Sequence, residues 1–548
     1  MKRKFFAILL AGMLVLSLAA CAAQPAPSST TAATTAVTTA AATTAATTAT
    51  TAATTAAPIS LDLSTLANQP DADEAAAPKY VFLFIGDGMS YPQFQAAADY
   101  LGAIADEDYA QSLPSVGYAD RAGTVLDGPV ALNFMDFAVA GSAVTYDSCS
   151  FAPDSASTAT SIATGFKTYS GMINVDETGT ISYETIAEKL HAQKNWKVGI
   201  ISSVNLNHAT PAAFYVHQAS RSSYYNIGLE LIDSGFEFFA GGGLLKPDGH
   251  DSENPSENLY DLAEAAGYTV VKTQAEAEKV TEGPVIIIDE NLADSSAMAY
   301  ELDRTDDMWS LADFVSKGIE VLDNDEGFFM MCEGGKIDWA CHANDAASTV
   351  ADTLALANAV QVAIDFAAAH PGETLILVTG DHETGGLTIG FAGTDYDTYL
   401  DSLTNQKISF AEFDEQYVAS YRENGTSFET AMEDVEALFG LKLAGEDGDR
   451  LVLTDYEAER LRTAYELAVS GSEEACTQEQ YVLYGSYNPF SVTITHILNN
   501  KSGIDFTSYS HTGLPVAVFA DGNGAEAFGG YYDNTQIYVK LAELLDVE

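Results

Sequence analysis

Short apolar runs punctuate the chain from residue 80 onward. The first, Tyr80 to Ile85, is closed by Gly86-Asp87-Gly88. Others follow at Val198 to Ile201, Phe236 to Ala240, Val285 to Ile288, Phe328 to Met331, Leu375 to Val378 and Val516 to Ala520. None alternates strictly between apolar and polar positions, so each reads as a strand covered on both faces. Helical spacing fills several of the intervals: Glu184 to Gln193, Asp307 to Asp323, Ala346 to Ala369 and Asn534 to Leu545. Buried strands separated by helices predict an α/β fold with a mostly parallel central sheet covered by helices on both faces. Ligands of such sheets bind beyond the carboxyl ends of the strands. Here those ends carry Asp87, Glu333 and Asp381-His382.

Two stretches depart from this rhythm. Residues 392–500 are acidic, poor in apolar runs and helical in pattern at Phe410 to Asn424, Ser427 to Phe439 and Asp455 to Val469. They are expected to form an inserted helical lobe. The second stretch, Asp154-Ser155-Ala156-Ser157-Thr158, continues through small residues to Gly165 and predicts a short capped helix. A hydroxyl at its start, on Ser155, sits where free N–H groups and the helix dipole favour a phosphate.

The N-terminus is of another kind. Met1-Lys2-Arg3-Lys4, an apolar run and Leu18-Ala19-Ala20-Cys21 make a secretory leader. Its end resembles a bacterial lipobox, which implies cleavage before Cys21, a lipid on that thiol and a protein anchored outside the cytoplasm. Ala22 to Leu61 contains no charged residue and is largely Thr and Ala, a composition that cannot bury enough apolar surface to fold. A flexible chain over 22–77 spans about 40 Å. The expected organisation is therefore a leader over 1–20, a lipidated Cys21 and stalk over 21–77, and a globular body over 78–548 with the insertion at about 392–500.

Charge narrows the function. With 78 acidic against 24 basic residues the formal net charge is −54, which argues against a nucleic-acid partner. Any site for an anion must then supply its own positive charge. Besides Cys21, the cysteines at 149, 332, 341 and 476 fit neither a zinc ribbon nor a compact disulfide framework; most are expected to be buried thiols.

Asp338 and His342 are four apart and share a face if helical. Asp381-His382 follows a strand, and His511 precedes one. Carboxylates mixed with imidazoles suit zinc in an incompletely closed site. His191, His217, His250, His370 and His496 are expected to have ordinary structural roles.

Taken in order, Gly86-Asp87-Gly88, Asp154-Ser155-Ala156, His208-Ala209-Thr210-Pro211, Arg221, Glu333-Gly334-Gly335-Lys336-Ile337-Asp338, Asp381-His382 and His511-Thr512-Gly513 resemble the alkaline phosphatase family. The resemblance runs from about residue 79 to 545, apart from most of 392–500. It implies hydrolysis of small phosphate monoesters, with Ser155 as nucleophile and a phosphoserine intermediate. It implies two Zn2+, one held by Asp87, Asp381 and His382 and the other by Asp338, His342 and His511. It further implies one Mg2+ at Asp87, Thr210 and Glu333, with His208 beside it. Arg221 would grip two phosphate oxygens, steadied by Asp154, and a homodimer is the common state of the family. His208 and Trp339 stand where enteric bacterial members carry Asp and Lys, which bears on the third ion and on phosphate affinity. Alternatives are a phosphodiesterase or sulfatase of the same superfamily, or a non-catalytic surface lipoprotein. The sulfatase motif is missing around Cys149, and superfamily diesterases commonly use Thr in place of Ser155.

Overall fold

The computed structural model describes residues 77–470 and 476–548. The predicted leader, Cys21 and all but the last residue of the predicted stalk lie outside the described residues.

Eight strands precede the helical segment in the main sheet: β1 (Tyr80–Gly86), β2 (Val139–Val144), β3 (Lys197–Asn205), β4 (Phe238–Gly242), β5 (Thr269–Val271), β6 (Val285–Ile288), β7 (Phe328–Gly334) and β8 (Thr374–Gly380). Four two-residue strands follow: β9 (Glu383–Thr384), β10 (Thr388–Ile389), β11 (Ile504–Asp505) and β12 (His511–Thr512). The last two, β13 (Val516–Gly522) and β14 (Gly530–Asp533), rejoin the main sheet, whose spatial order is β14-β2-β13-β8-β1-β7-β3-β4-β6-β5. All seven apolar runs are strands of it, and every neighbouring pair is parallel except those made by β13.

The alternation along β1 explains why an unbroken apolar run is required. Tyr80, Phe82 and Phe84 enter one buried cluster, and Val81, Leu83 and Ile85 enter the other. Successive side chains of a strand point to opposite faces, so a strand covered on both sides has no polar position to spare. On the first face lie the helices Tyr91–Ala105, Leu311–Leu322 and Ala346–Ala369, contributing Phe94, Phe314 and Val360 among others. On the second lie Ser155–Thr164, Ile186–Lys194 and Thr535–Leu545, contributing Ala159, Leu190 and Leu541.

Register places the site. Ile85 pairs with Glu333 on β7, and Gly86 pairs with Gly334 on one side and Gly380 on the other. Strands β7, β1 and β8 therefore end level, with Glu333 at the end of β7 and Asp87 and Asp381 directly after β1 and β8. Gly380 is small because the chain after β1 crosses over it: a Cβ there would fall 1.8 Å from the Met89 carbonyl oxygen.

Between β10 and β11, which pair antiparallel, the described chain is helical: Phe410–Phe413, Ala419–Asn424, Phe428–Phe439, Asp455–Val469, Gln478–Tyr484 and Pro489–Ser502. A wide turn at Asp414–Val418 joins the first two into the single helix that the spacing predicts. Phe413, Phe439, Tyr465 and Phe490 extend the first-face core into this segment.

Two features lie beyond what the apolar runs encode, and one expectation needs correction. β13 runs antiparallel to its neighbours, a direction that an apolar run does not encode. β2 and β14 are strands without a full apolar run, because several of their positions are exposed or half-buried. Of the cysteines at 149, 332, 341 and 476, only Cys332 and Cys341 are buried. Cys149 instead sits in an exposed turn, its N–H donating to Asp147.

Gly380→Ala is expected to destabilise the protein by about 1–3 kcal/mol through the collision with Met89. Thermal denaturation of the purified variant checks this, and an unchanged melting temperature contradicts the close crossing.

Candidate active site

Helix Ser155–Thr164 begins at the carboxyl end of the sheet because Asp154 caps it, its side chain accepting from Ser157 N at 3.1 Å. Its other end closes on Gly165 with φ 79°, in the left-handed region that glycine adopts at helix ends. Ala156 and Ala159 have no exposed surface, so small residues let the helix seat closely and fix the Ser155 hydroxyl. That hydroxyl is buried, 3.1 Å from His382 Nε2 and 3.4 Å from Asp87 Oδ1.

Around it the predicted residues converge. His382 Nε2 is 3.3 Å from Asp87 Oδ1 and 3.3 Å from Asp381 Oδ2. Thr210 Oγ1 donates to Asp87 Oδ2 at 3.3 Å. Glu333 accepts from Ser202 through one oxygen, and its other, Oε1, is buried without a hydrogen-bond partner. On the far side, His342 Nε2 is 3.3 Å from Asp338 Oδ2, and His511 Nε2 is 3.6 Å from Asp338 Oδ1. The His382 and His511 rings stack at 3.7 Å, linking the two halves. Asp338 belongs to both: its oxygens lie within 4.8 Å of the ligand atoms of His342 and His511, and likewise of Asp87 and His382. Arg221 Nη1 donates to Asp154 Oδ2 at 2.8 Å, and Nη2 is 3.5 Å from His208 Nε2.

Three groups missing from the predicted set hold this cluster in place. Thr384 Oγ1 donates to Asp338 Oδ1 at 2.6 Å and lies 3.2 Å from His382 Nδ1. Thr158 Oγ1 donates to Asp381 Oδ2 at 3.1 Å. Ser202 donates to Glu333. Thr384 lies two residues past His382, and Ser202 directly follows the Val198 run, but a hydroxyl beside a strand end is too common to be singled out.

Electrostatics shows what the cluster lacks. Burial, with neighbouring carboxylates adding to it, raises Asp87 well above the usual range and brings Asp381 and Glu333 to about 7. Burial would raise Asp338 too, but the imidazoles of His342, His511 and His382 outweigh it and hold Asp338 well below. Burial and His511 lower His382. The second half carries a sharper sign. His342 Nδ1 is 2.7 Å from the Tyr509 carbonyl oxygen and His511 Nδ1 is 2.5 Å from that of Pro153. A carbonyl only accepts, so both Nδ1 atoms carry the proton. Both Nε2 atoms then face each other at 3.1 Å, an arrangement relieved by a proton on His342, where burial lowers the pKa but Asp338 outweighs it and raises it, or by a shared cation. Imidazoles oriented by a backbone carbonyl are the usual form of histidine metal ligands. The facing Nε2 atoms, crowded carboxylates and the orphaned Glu333 oxygen all fit divalent metal ions.

Residues 78–547 match the family model described as alkaline phosphatase. The chain belongs to the alkaline phosphatase family. It is 29% identical over 468 residues to alkaline phosphatase 3 of Bacillus subtilis, covering 84% of this chain and 87% of that protein. It is 30% identical over 385 residues to alkaline phosphatase 4 of the same organism, covering 70% and 74%. Among solved structures, the cold-active alkaline phosphatase of a psychrophilic Shewanella superposes with a TM-score of 0.67 at 27% identity, covering 85% of this chain and 99% of that one. The Thermus thermophilus alkaline phosphatase shares the fold with a TM-score of 0.67 at 23% identity, covering 86% and 92%. This alkaline phosphatase-family protein is accordingly an enzyme of that type, a hydrolase of a metal-dependent family that acts on phosphate esters.

Metal removal has a predictable signature. Folded, metal-free protein keeps protons on Asp381 and Glu333 up to about pH 7, whereas the unfolded chain releases them near pH 4. Folding thus binds protons between these values, and the stability of stripped protein falls as pH rises through that window. The gap in melting temperature between metal-loaded and stripped protein is expected to widen from about pH 5 to about pH 8. Thermal scans across that range check it, and a constant gap contradicts the carboxylate crowding.

Proposed function

We propose that the protein is an extracytoplasmic phosphomonoesterase that converts phosphate monoesters to alcohol and inorganic phosphate through a phosphoserine at Ser155. The observation that carries this reading is the Ser155 hydroxyl, fixed at a helix N-terminus 3.1 Å from His382 and 3.4 Å from Asp87, with Arg221 in the same cluster through Asp154. In the first displacement Ser155 Oγ bonds to phosphorus as the ester oxygen leaves. In the second, water bonds to phosphorus and the Oγ–P bond breaks, a division into two easier steps. Arg221 offers a planar fork suited to two phosphate oxygens. Asp154 holds one arm of that fork and caps the nucleophile's helix, so both are set from one residue.

Asp87, Asp381 and His382 would hold one zinc ion, and Asp338, His342 and His511 a second, by the mixed nitrogen and oxygen donors that zinc accepts. The oxygen set of Asp87, Thr210 and Glu333 suits magnesium, with His208 nearby. When bound, such ions lower the pKa of a hydroxyl or water and neutralise charge on the transferred group. The Leu-Ala-Ala-Cys ending of the leader supports lipid attachment at Cys21 and a location outside the cytoplasm. The serine nucleophile and Arg221 favour monoesters over diesters.

Hydrolysis of p-nitrophenyl phosphate at alkaline pH is expected to vanish on chelation and return with zinc and magnesium, with bis-p-nitrophenyl phosphate cleaved more slowly. Faster cleavage of the diester contradicts the monoesterase reading. Ser155→Ala is expected to lower kcat by at least about 10³-fold, as loss of a nucleophile does, with metal content unchanged; turnover near wild type removes Ser155 from its role.

A further inference from the structure

Helix Lys336–His342 supplies Asp338 and His342 to the site and opens on a lysine with no solvent exposure. An ammonium is costly to bury unless it is paired and wrapped, and Lys336 is both. Its Nζ lies 2.5 Å from Asp294 Oδ1, 3.9 Å from the centre of the Tyr300 ring and 4.7 Å from the Trp339 ring. This socket also joins the body to the 392–500 segment. Tyr300 packs on Phe410 at 5.7 Å and Phe410 on Tyr487 at 5.5 Å, with Trp339 against the same cluster.

From the socket a line of contacts reaches the anion-binding guanidinium. The Trp339 ring meets His208 edge to face, centroids 6.0 Å apart at 75°. His208 Nδ1 is buried without a hydrogen-bond partner, so its ring is oriented by packing and by Nε2, which faces Arg221 Nη2 at 3.5 Å. Asp154 holds only the other arm of Arg221. The second arm depends on where His208 stands, and His208 on where Trp339 stands.

We propose that Lys336, neutralised by Asp294, is a positioning residue for phosphate: its ammonium fixes the Trp339 indole, which sets His208 and through it the free arm of Arg221. The inference rests on the reading of Arg221 as a phosphate-binding group. It assigns Trp339 a role at a position where a charged contact to phosphate is unavailable. It also links the helical segment to substrate affinity through Phe410 and Tyr487.

The test uses the metal-loaded, full-length enzyme, with inorganic phosphate as the probe. Lys336→Met removes the charge and keeps a long buried side chain. The Ki of phosphate and KM for p-nitrophenyl phosphate are expected to rise together about three- to ten-fold, the range of a desolvated cation–π contact. The change in kcat is expected to be smaller than this factor, with zinc content unchanged. Trp339→Leu is expected to raise the phosphate Ki similarly, and the double variant to rise no further than either single, because both act along one line. An unchanged Ki in Lys336→Met, or additive effects in the double variant, overturns the proposal. If Lys336→Met does not fold, an unchanged Ki in Trp339→Leu overturns it alone. Arg221→Lys separates the two readings. A raised Ki there, with none in Lys336→Met, rejects only the positioning role, whereas no change in Arg221→Lys removes the phosphate reading and the inference with it.

Discussion

Three parallel strands that end level put more negative charge into one buried spot than a protein interior tolerates. The pairing of Gly86 with both Gly334 and Gly380 leaves Asp87, Glu333 and Asp381 side by side with no exposed surface. Burial and mutual repulsion push all three upward. Packing does not relieve this, because the sheet that sets the register is sealed on both faces by apolar clusters. Protons relieve it at low pH, and divalent cations would relieve it at higher pH. The rest of the site follows from that constraint. Imidazoles at His342 and His511 are turned by backbone carbonyls to aim their Nε2 atoms inward, and Thr158 and Thr384 spend their hydroxyl protons on Asp381 and on the neighbouring Asp338.

The constraint also resolves a tension in the composition. A chain with a formal charge of −54 is a poor host for a phosphate, since the field over its surface repels anions. On the proposed reading, cations held at the strand ends, with Arg221 and the N-terminus of the Ser155 helix, would reverse the sign locally. Asp154 connects these elements by capping the helix and holding the guanidinium. An acidic surface and an anion-binding centre are therefore compatible.

Much of this was legible in the chain before any coordinates. Strands β1, β3, β4, β6, β7, β8 and β13 announce themselves because a doubly covered strand has no freedom to be polar. The acids at their ends follow from the rule that α/β sheets bind ligands there. The antiparallel course of β13 was not legible, since direction lies in the connections and not in the side chains. β2 and β14 were hidden by their exposure. Among the site groups, Ser202, Thr158 and Thr384 escaped notice because a hydroxyl becomes informative only once its acceptor is known. In the sequence Lys336 is only one member of the Glu333-to-Asp338 motif. Its meaning depends on Tyr300 and Trp339 closing over it, contacts that only the tertiary fold brings about.

The central claim, that two mixed imidazole and carboxylate clusters meet at Ser155 to hold cations, is tested most directly by diffraction. Crystals of the active enzyme would be measured with X-rays just above and just below the zinc absorption edge. The account predicts two anomalous peaks that vanish below the edge, one among Asp87, Asp381 and His382 and the other among Asp338, His342 and His511. An active crystal with no peak at these residues, or with its metal elsewhere, would contradict it.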